Sequence, residues 1–120
     1  MNTLPTEFAP FVATHDILAH RSNAHIEQVK ARIVFVDGSL LVYTNIVILT
    51  EARRKYSFQW MNPDGTLRIR WDNAPHYPHI ATYPHHQHIG DETNVQDSPE
   101  MTLEEVLAVI TATFERHNVV

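Results

Sequence analysis

Tyr56-Ser-Phe-Gln-Trp-Met-Asn-Pro-Asp-Gly-Thr-Leu-Arg-Ile-Arg-Trp-Asp72 decides the fold of this 120-residue chain. Tyr56, Phe58 and Trp60 alternate with Ser57 and Gln59. After Asn62-Pro63-Asp64-Gly65, the residues Leu67, Ile69 and Trp71 alternate with Arg68, Arg70 and Asp72. A period of two sends successive side chains to opposite faces of a strand, and a Pro followed by Asp-Gly is turn chemistry. The stretch predicts a hairpin with one aromatic face and one polar face. Trp60 and Trp71 fall in the apolar phase, which makes them cross-strand core partners rather than platforms for stacking a base.

The same period extends upstream. From Ile26 to Val36, the residues Val29, Ala31, Ile33 and Phe35 alternate with Gln28, Lys30, Arg32 and Val34. Asp37-Gly38 supplies a turn, and Ser39 to Leu49 reads as a more buried strand because so little of it is polar. Joined through the basic link Glu51 to Lys55, the two hairpins make a four-stranded antiparallel meander over residues 25–72. Its polar face carries Lys30, Arg32, Ser57, Gln59, Arg68 and Arg70. Downstream, residues 73–99 read as a histidine- and proline-rich loop segment, with a short strand at Ile80 to Tyr83 as a fifth member of the sheet.

Thr102-Leu-Glu-Glu105 is a capping box, and Leu103, Val106, Leu107, Ile110 and Phe114 follow at helical spacing, so an amphipathic helix is expected over 102–117. A short helix is expected at 13–23 within the N-terminal segment 1–24. The fold class is therefore α+β, a single domain over 1–120 with the helix covering the sheet.

Composition narrows the chemistry. With 43% hydrophobic and 19% charged residues the chain is of globular type, and it has no cysteine. Disulfides, thiolate nucleophiles and Cys-ligated zinc are excluded, and any metal must be held by His, carboxylate and water. No stretch approaches the roughly 18 apolar residues of a membrane span, and no basic-then-apolar leader opens the chain, so a soluble cytoplasmic protein is expected. The formal charge of -5 is uneven: eight of the nine Lys/Arg lie in residues 1–90 against seven acids, whereas 91–120 hold Arg116 against seven. The acidity belongs to the C-terminal segment, which leaves a locally basic sheet face open.

Five of the nine histidines fall between His76 and His88. Imidazole titrates near neutrality, binds metals and transfers protons. In an extended chain His86 and His88 point to one side and His85 to the other, so a metal would need a third ligand from His76, His79, Asp72 or a neighbouring strand. Acid/base chemistry asks for less: one imidazole to take a proton, another group to return it, and cations to hold an anion. Asp72 follows Arg68 and Arg70 on one face and can orient a histidine. A solvated Pro-His loop is the competing reading, and His79 has the weakest claim to a role.

Tyr56-Ser-Phe-Gln-Trp60, Arg70-Trp-Asp-Asn-Ala-Pro-His76, Thr82-Tyr-Pro-His-His-Gln-His-Ile-Gly90 and Leu103-Glu-Glu-Val-Leu107 together resemble the TumE family, toxin components of bacterial and archaeal toxin-antitoxin pairs. The resemblance spans roughly residues 25–110 and is most specific at 69–90. It implies a small cytoplasmic toxin neutralised by direct contact with an antitoxin encoded beside it. The motif residues it marks are Asp72, Asn73, His76, His85, His86 and His88. Gln87, His79 and Tyr83 depart from the family pattern, Gln87 by removing a common cation.

The leading expectation is a metal-independent ribonuclease. His85, His86 and His88 would move protons, Asp72 would orient one of them, and Arg68, Arg70, Asn73 and His76 would bind the RNA substrate. The alternatives are a divalent metal on His76, His86 and His88, and a non-enzymatic protein-interaction module. Homodimer formation along an exposed strand edge is a further expectation.

Overall fold

Alternation carries the sheet further than four strands. The structure, a computed structural model, describes residues 4–118, and the side-chain surroundings of residues 4–114. After a 3-10 turn at Thr6–Phe11 come β1 (Val12–Ser22), β2 (Ile26–Phe35), β3 (Leu40–Ile48), β4 (Arg53–Met61), β5 (Leu67–Asp72), β6 (His86–Ile89), β7 (Val95–Asp97) and the helix α1 (Leu103–Asn118). Each strand pairs antiparallel with the next, giving among the described residues one seven-stranded sheet in chain order. The α+β class and the C-terminal helix hold, but the count of four or five strands is too small. Among the described residues no helix is long and apolar enough to cross a membrane.

Two local expectations fail for identifiable reasons. Of residues 13–23, expected as a helix, 13–22 belong to β1 and Asn23 to the turn that follows it. As the outermost strand, β1 is exposed along most of its length, so neither face imposes a period of two, and its pairing with β2 decides the conformation. Ile80 to Tyr83, expected as a strand, is a run of turns in which Tyr83 N–H donates to Ile80 O (3.1 Å) and His85 N–H to Thr82 O (2.9 Å). Pro84 has no N–H to give a ladder, and the strand begins only at His86.

The registers place side chains in rows across the sheet. On one face run Ala31, Tyr43, Phe58 and Trp71, and beside them Ile33, Leu41, Trp60, Ile69 and Ile89. The stripe Val106, Leu107, Ile110 and Phe114 of α1 completes this core, with the Phe114 ring 5.8 Å from that of Phe35. The helix starts as expected: Glu105 N–H donates to Thr102 Oγ1 at 3.3 Å and Thr102 N–H to Glu105 Oε1 at 3.1 Å. On the opposite face one row is Lys30, Thr44, Ser57, Asp72 and His86, and its neighbour is Arg32, Val42, Gln59, Arg70 and His88. The helix thus claims one face, and the candidate chemistry lies on the other.

Arg68 leaves that polar face. Consecutive Trp60 and Met61 oppose Ile69 and Leu67, so Arg68 is the extra residue of a β-bulge. Re-aimed by the bulge, its guanidinium lies 4.8 Å from the centre of the Trp60 ring and reaches Asp37 in the β2–β3 turn at 3.4 Å. In that turn Asp37 Oδ1 accepts from Ser39 N–H and Oγ–H, while Gly38 sits at φ +85° with Pro63 so close that a Cβ would stand 3.3 Å from it. Arg68 therefore ties two turns together and stands apart from the row that carries Arg70.

Candidate functional site

Register alone makes Asp72 the cross-strand neighbour of His86 and Arg70 that of His88. All four lie in a pocket of about 580 Å³ on the polar face, whose walls include Lys55, Ser57, Gln59, His76 and Tyr77. Asp72 is 7% exposed, and His86 and His88 are 1% exposed. Asp72 Oδ1 faces His86 Nε2 at 2.9 Å, and Oδ2 faces His88 Nε2 at 3.6 Å. Arg70 donates from Nε to Asp72 Oδ2 (3.1 Å) and from Nη1 to Glu92 Oε1 (2.6 Å).

The hydrogen bonds identify the tautomers. His86 Nδ1 is 2.9 Å from Pro84 O and His88 Nδ1 is 2.8 Å from Glu92 O. A carbonyl only accepts, so each Nδ1 carries its proton. Arg70 Nη2 lies 3.3 Å from His88 Nε2, and since guanidinium only donates, that nitrogen presents a lone pair. Both Nε2 atoms are thereby turned towards one carboxylate, held by backbone on one side and by the sheet on the other. Tyr77 stands edge-on over them, its ring 4.8 Å from His86 and 5.9 Å from His88.

Other expected site residues are placed elsewhere. His85 lies on the opposite side of β6 from its neighbour His86, as alternation requires: its Nδ1 is 2.8 Å from Tyr56 Oη, and the two rings stack at 5.8 Å. Burial pushes the Tyr56 phenol up, with the Met101 N–H and Arg54 opposing, so the hydroxyl beside His85 stays protonated. His85 is thus held against Tyr56 and separated from the pair it was grouped with. His76 is exposed on the pocket wall and is outside the convergent set, where Asp72 takes the place expected for it beside His86 and His88. His79 is exposed against Tyr77.

Asn73 is an extension of the ladder. Its Oδ1 accepts from Tyr56 N–H at 3.0 Å and its Nδ2 donates to Arg54 O at 2.7 Å, so its amide substitutes for a peptide unit beyond the end of β5. Asn73→Ala leaves both β4 groups without a protein partner, and a loss of about 2 kcal/mol is expected in urea unfolding. An unchanged midpoint would remove this assignment.

Three contributors were not visible from motif spacing: Tyr77, the Glu92 side chain and carbonyl, and the Pro84 carbonyl. Tyr77 had one available signal, its position between Pro75-His76 and Pro78-His79, which folds the loop back over the strand that follows. Glu92 had none, since its reach depends on the β6–β7 turn, where Asp91 Oδ1 accepts from Thr93 N–H at 2.8 Å.

No curated protein and no solved structure matches the chain. A family model described as Toxin TumE matches residues 5–114. That match takes in every strand of the sheet, the buried Asp72, His86 and His88, and most of the helix, and the chain belongs to the TumE toxin family.

Proposed function

We propose that the protein is the toxin of a toxin-antitoxin module and that it cleaves RNA, with the reacting phosphodiester in the pocket over Asp72, His86 and His88. The carrying observation is the convergence of two buried imidazole nitrogens and a carboxylate at the floor of a pocket that also holds Arg70 and Lys55. Attack of a 2′-hydroxyl on the adjacent phosphate forms a 2′,3′-cyclic phosphate and breaks the bond to the 5′-oxygen, so it needs one group to take the hydroxyl proton, another to give a proton to the leaving oxygen, and positive charge against the phosphorane oxygens. The two imidazoles suit the first two needs and Arg70 the third. The polar rows run from Lys30 and Arg32 to the histidines over five strands, about 19 Å at the usual strand spacing, and a polyanion laid along them meets cations at both ends.

Expression of the chain is expected to arrest growth, with relief by the product of the adjacent gene, the cognate antitoxin. Purified protein is expected to cleave single-stranded RNA, and the His86→Ala, His88→Ala double variant to lose at least about 100-fold of that rate. Full cleavage by the double variant would remove the centre from the reaction. A purely protein-binding role is favoured by one observation, the outer edge of β1, which no described strand pairs. Homodimer formation along that edge, with no turnover of RNA, is the result that would select it.

A further inference from the structure

We infer that Asp72, His86 and His88 form a binding site for a divalent first-row transition cation, of which Zn²⁺ fits the donor set best. The inference stands on the geometry of the three side chains and does not depend on RNA being the substrate; with both Nε2 atoms on an ion neither ring could take a proton, so a loaded site would exclude the proton-transfer role proposed for the imidazoles.

The first argument is electrostatic. His86 Nδ1 is committed to the Pro84 carbonyl, yet its Nε2 lies 2.9 Å from a carboxylate oxygen. A bare nitrogen and an anionic oxygen at that distance repel, so a positive centre has to stand between them, either a second proton on the ring or a metal ion. His88 has the same tautomer, with Nδ1 on the Glu92 carbonyl and Nε2 turned inward, 3.6 Å from the other oxygen of the same carboxylate and 3.3 Å from Arg70 Nη2, which serves its lone pair in the absence of an ion. A cation shared by all three residues would serve both Nε2 atoms at once.

The second argument is spacing. The three ligand atoms lie within 4.8 Å of one another. Ligands at about 2.05 Å from a tetrahedral Zn²⁺ are about 3.3 Å apart, and the separations of His86 Nε2 from Oδ1 (2.9 Å) and of His88 Nε2 from Oδ2 (3.6 Å) lie on either side of that value, so that an ion between the rings meets the carboxylate through one or both of its oxygens. Two imidazoles and one carboxylate also form the three-ligand set that leaves a zinc position open for water or substrate.

The third argument is the support behind the ligands. Metal-bound histidines almost always donate the other ring N–H to a carbonyl or carboxylate, which fixes the tautomer. Here both do so, and a carbonyl in each case is the acceptor. Asp72 is fixed likewise, its Oδ1 accepting from Ala74 N–H at 3.0 Å. Binding requires Arg70 to withdraw one Nη2 contact from His88 while Glu92 retains its Nη1 at 2.6 Å.

The test uses untagged full-length protein, stripped with chelator, reloaded with Zn²⁺ and desalted before metal analysis. About one zinc per chain is expected, retained by His79→Ala, with affinity lowered about 100-fold or more in His86→Ala and His88→Ala. Co²⁺ loading of the unaltered protein is expected to give the visible bands of a four-coordinate nitrogen–oxygen site, bleached by Zn²⁺, a readout that needs no variant. Arg70→Ala removes a guanidinium but no ligand, so it should keep zinc while losing RNA cleavage, which separates the two readings. A folded protein that retains no zinc and gives no cobalt bands overturns the inference, as does undiminished zinc in the His86→Ala, His88→Ala double variant. RNA cleavage by that metal-free protein would leave the nuclease reading intact.

Discussion

Asp72→Ala is expected to cost about 3 kcal/mol of folding stability, measured by urea unfolding in the presence of chelator. The carboxylate is 7% exposed and is the only anion common to His86, His88 and Arg70 among the described ion pairs. Alanine leaves the Arg70 guanidinium with Glu92 as its one anionic partner among the described ion pairs, leaves His86 Nε2 without the carboxylate it faces, and strips the Ala74 N–H of its acceptor. Removing one partner of a buried pair is far worse than never having had the pair, because the remaining groups keep their desolvation penalty. Asp72→Asn separates the causes. It preserves volume and the Ala74 contact, so a loss nearer 1 kcal/mol is expected. Should Asp72→Ala lose less than about 1 kcal/mol, the cluster would be stable without its anion and the electrostatic account of the centre would fail.

Phe58→Ala is the second large effect, at about 3–5 kcal/mol. Phe58 is fully buried between Tyr43 and Trp71 in its row, with the Tyr43 and Tyr56 rings 5.7 and 5.6 Å from its own. The strands on either side are fixed by ladder hydrogen bonds, so the sheet cannot collapse into the vacated space as a loop would. Phe58→Leu retains most of the volume and should cost about 1–1.5 kcal/mol. A Phe58→Ala midpoint within about 1 kcal/mol of the parent would mean that α1 repacks onto the sheet. The site lies on the other face, so both Phe58 variants should retain RNA cleavage at temperatures where they remain folded.

The central strands and the helix are legible in the chain because each has one buried face, and burial on one face is what writes a period into a sequence. Phe58 and Trp60 alternate with Ser57 and Gln59 for that reason, and Val106, Leu107 and Ile110 recur at helical spacing for the same one. β1 is illegible because it is exposed on both sides and has no phase to display. β6 and β7 are illegible because they are four and three residues long, too short to repeat anything. Half of the candidate site could be read from alternation, which puts His86 and His88 on one side and His85 on the other. The pairing of His86 with Asp72 needed the register across an irregular 13-residue connection. Arg68 was placed on the wrong face because a bulge adds one residue to the count without leaving a mark in the composition.

A sheet laid down in chain order also sets a sequence of events. Each strand docks on the one made just before it, so every addition closes only a short loop, at a modest entropic cost. Strands β1 to β4 can build a sheet with aromatic rows but no chemistry. Asp72 arrives at the end of β5, the two imidazoles with β6, and the Glu92 carbonyl that orients one of them only as the chain turns towards β7. The cluster of Asp72, His86 and His88 is therefore completed only after five strands are in place, and a chain interrupted anywhere before residue 86 is an incomplete sheet without it.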